Sequence, residues 1–151
     1  MTKNIRRLLL LSSLGAFCAA WPRPPATSAG EEVDVVVNKS NTVGDQTATS
    51  LKPIFVCDKS TWPNGKRVSV LMLAPGSPER AVVLRDVYKM SEGDYSKYFL
   101  QAAFSGRITA PPKDLASAGQ MKQDVAANPG AIGYLKSSDV DDSVKVVMKL
   151  Q

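Results

Sequence analysis

Histidine is absent from the 151-residue sequence, and aromatic side chains make up only 7% of it. Without imidazole, Ser-His-Asp and Cys-His catalysis, histidine metal sites and the usual near-neutral proton shuttle are excluded. The one dense carboxylate cluster, at Asp139, Asp141 and Asp142, lacks the spacing of a calcium loop and is typical of a solvated turn. The sequence therefore predicts no catalytic residue, no metal site and no cofactor, and we expect a protein that is not an enzyme.

The first residues have the pattern of a secretory signal. Three basic side chains precede an apolar run from Leu8 to Ala20, which is too short to span a membrane comfortably. Small residues allow cleavage after Ala29, which we favour, or after Ala20, and a retained N-terminal anchor is the alternative. Lipidation of Cys18 is not expected because the bulky Phe17 precedes it. We thus predict a signal peptide over residues 1–29 and one folded domain over residues 30–151.

The basic excess of the sequence belongs mainly to this leader. The whole chain has 19 Lys and Arg against 14 Asp and Glu, but four of the basic residues and none of the acidic ones lie in residues 1–29. The mature chain therefore has 15 basic and 14 acidic side chains, a net charge of +1, and nothing favours a nucleic-acid partner. Cys57 is its one remaining cysteine, so it has no internal disulfide, and its apolar neighbours predict a small buried side chain.

Apolar periodicity in the mature chain alternates between strand-like and helix-like segments. Four segments have strand character and three have helical character. One further short helical turn is predicted near Leu51 to Phe55, between the first two strands. The predicted strands are 33–38, 67–73, 131–135 and 144–150, and the predicted helices begin at the caps Ser77, Ser91 and Ser117. The aromatic side chains of the second helix recur at core-packing spacing. This order predicts an α/β domain with a partly parallel sheet flanked by helices.

The turn between the second strand and its helix is the best candidate for a binding site. Gly76 allows a ligand to approach the backbone, Ser77 offers a hydroxyl, and the N–H groups of the first helical turn favour an anion. Pro78 removes one of these donors, and Arg80 adds a charged donor if it turns back toward the cap. A helix cap with nothing bound explains Ser77 and Pro78 equally well.

Several of these segments together resemble the periplasmic phosphate-binding component of ABC transporters, especially its short stand-alone members. The resemblance runs from about Val33 to Leu135, and its most specific pieces are the Trp-Pro-Asn-Gly turn at 62–65 and the Pro-Gly-Ala-Ile-Gly-Tyr segment at 129–134. It implies a three-layer, single-lobe periplasmic-binding-protein-like domain with a mixed, mostly parallel sheet. It also implies export to the periplasm of a Gram-negative type of cell. We predict a ligand site formed by Gly76, Ser77, Arg80 and Asn38.

The sequence departs from that family at the anion loop. Gly76 and Ser77 match the family's Arg-Glu-x-Gly-Ser-Gly-Thr loop, but Leu73 and Ala74 stand where arginine and glutamate are expected, and Glu79 would repel phosphate unless it points away. We expect the part that supplies the family's other lobe to be missing, because the resemblance covers one lobe only. We expect a solute-binding module that holds phosphate or a similar oxyanion weakly, or with a second copy or another envelope protein completing the cleft. The alternative is an interaction module of the cell envelope that has lost its ligand.

Overall fold

A computed structural model describes residues 32–151, so the predicted signal peptide lies outside the described residues. Five strands and four helices follow one another along the chain. Their order is β1 (Val33–Asn38), α1 (Ala48–Phe55), β2 (Ser69–Leu73), α2 (Pro78–Val83), α3 (Glu92–Phe104), β3 (Lys113–Leu115), α4 (Ala118–Ala127), β4 (Ala131–Lys136) and β5 (Val144–Leu150). Helix α2 runs directly into a π-helical turn, Leu84–Tyr88. No helix between residues 32 and 151 is long and apolar enough to cross a membrane.

The strands form one mixed sheet in the order β3-β2-β4-β1-β5. Strand β2 is parallel to β3 and β4, whereas β1 is antiparallel to both of its neighbours, β4 and β5. The expected mixed, mostly parallel sheet is confirmed, because four of its five strands run in the same direction and β1 alone runs against them. The carboxyl ends of β2, β3, β4 and β5 therefore meet at one edge of the sheet, which we call the carboxyl edge, and β1 ends at the opposite edge.

Helices cover both faces of the sheet, as the sequence predicts. A Cβ atom on Gly133 would collide with Met121 of α4, so this face of β4 lies directly beneath α4. The next residue, Tyr134, points to the other face, where its hydroxyl accepts a hydrogen bond of 2.8 Å from the Leu73 N–H. All six residues of β1 are buried, as expected for a strand covered on both sides.

The predicted aromatic stripe of α3 belongs to the core. Tyr95 and Phe99 are buried, and their ring centroids lie 4.6 Å apart. Tyr88 joins them with an edge contact to Tyr95 at 5.2 Å, and its hydroxyl donates a 2.9 Å hydrogen bond to the carbonyl oxygen of Phe55. Core packing therefore accounts for these rings, and they form no platform for a ligand.

Two strands differ from the sequence prediction. The three-residue strand β3 was not predicted, because Lys-Asp-Leu has no alternating pattern that could mark it. In β5 the alternation is interrupted by a bulge: Val35 pairs with Met148, but the next residue, Val36, pairs with Val146. Val147 is the extra residue and turns into the core, where it is 2% exposed.

Candidate functional site

The Gly76–Ser77 corner lies at the carboxyl edge, in the turn that joins β2 to α2. The start of this turn is held in place because Ala74 N–H donates a 2.9 Å hydrogen bond to the carbonyl oxygen of Leu115 at the end of β3. Gly76 has φ +91°, a conformation that favours glycine, and a Cβ atom placed on it would meet no atom within 4 Å. The space above Gly76 is therefore open to a ligand.

Three backbone N–H groups at this corner have no acceptor among residues 32–151. They belong to Gly76, Glu79 and Arg80, whereas Ser77 N–H donates to the carbonyl oxygen of Ala74 at 3.3 Å. Proline at position 78 has no N–H. Glu79 and Arg80 are buried residues, at 7% and 2% exposure, and an unpaired N–H in such a place favours an incoming acceptor.

The Ser77 hydroxyl does not occupy the position that the sequence predicts. Ser77 is the N-cap residue of α2, with extended backbone at φ −72° and ψ 140°, but its side chain makes no capping hydrogen bond. Its Oγ atom is buried and has no hydrogen-bond partner in the described part of the chain. The predicted capping role of the side chain is therefore wrong, because the hydroxyl oxygen is buried and accepts no N–H of the first helical turn.

A cavity of about 780 Å³ opens beside the corner. One wall is formed by the corner itself and the first turns of α2, and the other by the π-helical turn and the start of α3. The residues that line it are Gly76, Ser77, Pro78, Ala81, Leu84, Arg85, Lys89, Met90, Ser91 and Glu92. The predicted glycine-serine turn thus borders a concave surface of the size that small-molecule sites commonly have.

Arg80 does not turn back toward the cap. Its guanidinium donates to both carboxylate oxygens of Glu92, at 3.0 and 2.7 Å, to Asp114 at 2.8 Å and to the Leu73 carbonyl oxygen at 2.6 Å. Burial alone would lower the pKa of Arg80, but the hydrogen bonds that Arg80 donates to Glu92 and to Asp114 outweigh it and raise that pKa. The predicted ligand role of Arg80 is not supported, because protein acceptors already occupy four of its five N–H donors.

Glu79 is held away from the cavity that its neighbours line. Its carboxylate is buried and lies 3.7 Å from the ammonium group of Lys136 at the end of β4. Since Glu79 is not among the lining residues, its charge is directed toward the sheet rather than toward the corner. Because the Glu79 carboxylate points away from the corner, an anion can approach the corner although a glutamate lies in the first helical turn.

Asn38 lies at the opposite edge of the sheet from Gly76, because β1 runs against β2. Its side-chain amide donates hydrogen bonds to the carbonyl oxygens of Val125 and Ala126, at 2.8 and 2.7 Å, at the C-terminus of α4. Its Oδ1 atom accepts from the backbone N–H of Ser40 at 2.9 Å. The structure therefore separates Asn38 from the other predicted site residues and gives it a structural role as a cap for α4.

Sequence reasoning missed the second wall of the cavity. Helical spacing predicts one continuous α-helix after Pro78, but the helix changes to a π-helical turn at Leu84. This turn ends at Lys89, whose backbone is in the left-handed conformation with φ 57° and ψ 42°. This change of direction places Arg85, Lys89 and Met90 against the corner. No local motif marks the π-helical turn, although such turns are often found at functional sites.

Neither this cavity nor any other place in residues 32–151 gathers three or more carboxylate or thiol side chains that could hold a metal ion. Asp141, from the predicted solvated turn, accepts hydrogen bonds from Lys122 at 2.8 Å and from the Ser143 hydroxyl. These contacts, with those from the Ser143 backbone, lower the pKa of Asp141, the hydrogen bond from Lys122 having the largest effect. Asp141 is thus a turn residue that ties this loop to α4.

Comparison with solved structures gives the same fold in phosphate receptors. An ABC-type phosphate transport receptor from Vibrio cholerae matches with a TM-score of 0.57 and 20% identity over 77% of this chain. A structure from Clostridium perfringens, described as a phosphate ABC transporter substrate-binding protein with bound phosphate, matches with a TM-score of 0.61 and 24% identity over 76% of this chain. A possible phosphate-binding protein from Planctomyces limnophilus matches at 0.54, with 17% identity over 78%. The expected resemblance is therefore confirmed for the fold.

This chain spans less than half the length of the matched structures. The matched region covers 45% of the Vibrio receptor, 43% of the Clostridium protein and 42% of the Planctomyces protein. No family model matches the sequence. What this chain shares with the receptors is accordingly the architecture of one part of them.

Proposed function

We propose that the protein is an exported solute-binding module that holds phosphate or a similar oxyanion at the Gly76–Ser77 corner. The observation that carries this proposal is the corner at Gly76, which lines the cavity and whose N–H has no acceptor among residues 32–151. The N–H groups of Glu79 and Arg80, in the same turn, also have no acceptor there. Backbone N–H groups at the start of a helix are a common site for anions. The solved structures of the same fold are described as phosphate receptors, one of them with bound phosphate, which supports phosphate as the first ligand to test.

Affinity should be low when the chain acts alone. A helix terminus contributes only about 0.3–1 kcal/mol toward a charge, whereas micromolar binding needs about 8 kcal/mol. The chain spans less than half of each matched receptor, so the proposed site lacks any contacts that the remainder of such a receptor would add. A second copy or another envelope protein that covers the cavity would supply the missing contacts. The predicted signal peptide supports the periplasm as the proposed location.

Titration of the protein with phosphate and sulfate, followed by NMR, tests this proposal directly. We expect millimolar affinity and shifts of the Gly76, Glu79 and Arg80 amide signals. Gly76→Asp should abolish these shifts by placing a carboxylate at the corner. Gly65→Asp is the matched control, because Gly65 is also exposed, has φ +78° and has no atom within 4 Å of an added Cβ. Absence of any shift at millimolar phosphate and sulfate would contradict the proposal.

One observation favours the alternative function, an envelope interaction module without a ligand. Leu100 and Phe104 are 62% and 85% exposed on consecutive turns of α3. An exposed apolar pair of this kind is typical of a surface that contacts another protein. Cross-linking in intact cells should then capture a specific envelope neighbour, and Phe104→Ser should abolish the capture. Recovery of the uncross-linked monomer alone would count against this alternative.

A further inference from the structure

The cavity beside the corner is much larger than the ligand proposed for it. Its volume is about 780 Å³, whereas a phosphate ion has five heavy atoms and a water molecule in the liquid occupies about 30 Å³. A bare oxyanion at the corner would leave most of this space to water. Known sites for organic small molecules commonly have volumes in this range.

Carbon atoms form most of the cavity wall beyond the corner. This apolar surface comes from Pro78 and Ala81 of α2, from Leu84 of the π-helical turn, and from Met90 in the segment before α3. Leu84 is only 4% exposed and therefore fixed in the core, whereas Ala81 is exposed and faces the open space. A wall of this kind gains free energy by contact with an apolar group and gains none from inorganic phosphate.

The charges around the cavity leave one cation without a close partner. Arg85 is paired with both carboxylate oxygens of Asp86, at 2.7 and 2.6 Å, and Glu92 is paired with Arg80. Lys89 is an exposed residue, and its ammonium group makes neither a hydrogen bond nor a salt bridge within residues 32–151, although its charge helps to lower the pKa of the neighbouring Asp86. Lys89 is held in the left-handed conformation where the π-helical turn ends, and it lines the same cavity as Gly76.

We propose that this cavity binds an organic phosphate monoester rather than inorganic phosphate. The inference rests on the proposed oxyanion corner and extends it. The phosphate group lies between the Gly76 corner and Lys89, and the ester's apolar group packs against Ala81, Leu84 and Met90. The open carbon wall, the cavity volume and the unpaired ammonium group are all explained by one ligand of this class.

Binding of three probes separates this inference from the proposed function. Phenyl phosphate should bind at least about tenfold more tightly than inorganic phosphate, because its ring buries apolar surface that phosphate lacks. Phenol tests the ring without the charge and should bind more weakly than phenyl phosphate. Equal affinities for phenyl phosphate and inorganic phosphate would overturn the inference and leave the proposed function standing. Equal affinities for phenol and phenyl phosphate would overturn the inference as well, and no binding of either phosphate would overturn both.

A pair of variants locates the apolar group. Ala81→Glu places a carboxylate in the cavity and should reduce the affinity for phenyl phosphate at least about tenfold. Ala103→Glu makes the same change at an exposed position of α3 that does not line the cavity, and it should alter the affinity less than twofold. Melting curves of both variants establish that they are folded. Equal effects of the two substitutions in folded proteins would contradict the placement.

Discussion

Arg80 and Glu92 form a two-point ion pair, in which Nε and Nη2 of the arginine donate to the two carboxylate oxygens at 3.0 and 2.7 Å. The Arg80 side chain is 3% exposed, whereas that of Glu92 is 42% exposed. The guanidinium also lies over the Tyr95 ring, 4.8 Å from its centroid, and bonds to the end of β2. Arg80 therefore joins β2, β3 and α3 behind the corner, and its role is to support the site.

Arg80→Lys should destabilise the fold without removing the site. An ammonium group cannot reproduce the planar fork that contacts Glu92, Asp114 and Leu73 together, so we expect a loss of about 1–3 kcal/mol in the free energy of unfolding. Chemical denaturation measures this loss. In the same variant, phosphate affinity should change by less than about twofold. A large loss of affinity with unchanged stability would identify Arg80 as a ligand residue instead.

Asn38→Asp should destabilise the protein at a distance from the cavity. The substitution replaces an N–H donor by a carboxylate oxygen facing the carbonyl groups of Val125 and Ala126, and we expect a cost of about 2–4 kcal/mol. Asn64→Asp is the control, because Asn64 uses only its Oδ1 atom, as acceptor for the N–H of Lys66, and aspartate can do the same. Thermal unfolding compares the two, and equal stability of both variants would contradict this role of Asn38.

Local sequence patterns were sufficient to predict the elements, but not how they meet. Ser91 and Ser117 cap α3 and α4 as predicted, since a cap depends only on residues three positions away. The direction of β1 depends instead on pairing with β4, about a hundred residues later, and no feature of residues 33–38 encodes it. For this reason the sequence does not reveal that Asn38 lies at the opposite edge of the sheet from Gly76.

The same reasoning separates the predicted and unpredicted parts of the site. The turn at Gly76 was predictable because glycine and proline limit the backbone conformation locally. The partners of Arg80 were not, because Glu92 and Asp114 lie 12 and 34 residues away and reach it only after α3 and β3 have packed. Lys89 lines the cavity because a π-helical turn precedes it, and helical periodicity in the sequence does not reveal such a turn.

Gly130→Ala should be among the most destabilising single changes in the chain. A Cβ atom at Gly130 would collide with the backbone carbonyl of Arg67, and the Gly130 carbonyl oxygen also accepts a 2.9 Å hydrogen bond from the Trp62 indole. The hydrogen bond between Trp62 and Gly130 joins segments 62–65 and 129–134, which carry the most specific part of the sequence resemblance. We expect a loss of about 2–4 kcal/mol, measured by denaturation. Gly44→Ala, which meets no atom within 4 Å, should change stability by less than about 1 kcal/mol, and equal effects would contradict the packing described.

Cys57 should be a slow nucleophile and a source of alkaline instability. Burial, with a smaller contribution from Asp58, raises the pKa of its thiol from 9.0 to about 11. The pKa of this thiol is thus higher in the folded than in the unfolded protein. Its contribution to the free energy of unfolding is therefore fully present below about pH 9 and is lost as the pH rises from about 9 to 11. Peptide mapping after alkylation at pH 8 should show Cys57 reacting about a hundredfold more slowly in the folded than in the unfolded protein. Equal rates would show that the thiol is not protected.

Ser77→Ala should leave stability unchanged or raise it by up to about 1 kcal/mol, because it removes a buried hydroxyl that has no hydrogen-bond partner within residues 32–151. Ser91→Ala is the contrasting control. The Ser91 hydroxyl accepts from the N–H of Asp94 at 3.1 Å, so its removal should cost about 1 kcal/mol. Phosphate affinity should stay within about twofold in both variants, since backbone N–H groups are proposed to hold the anion. If Ser77→Ala lowered affinity strongly at unchanged stability, the hydroxyl would have to rotate outward on binding, and the donor set would include it.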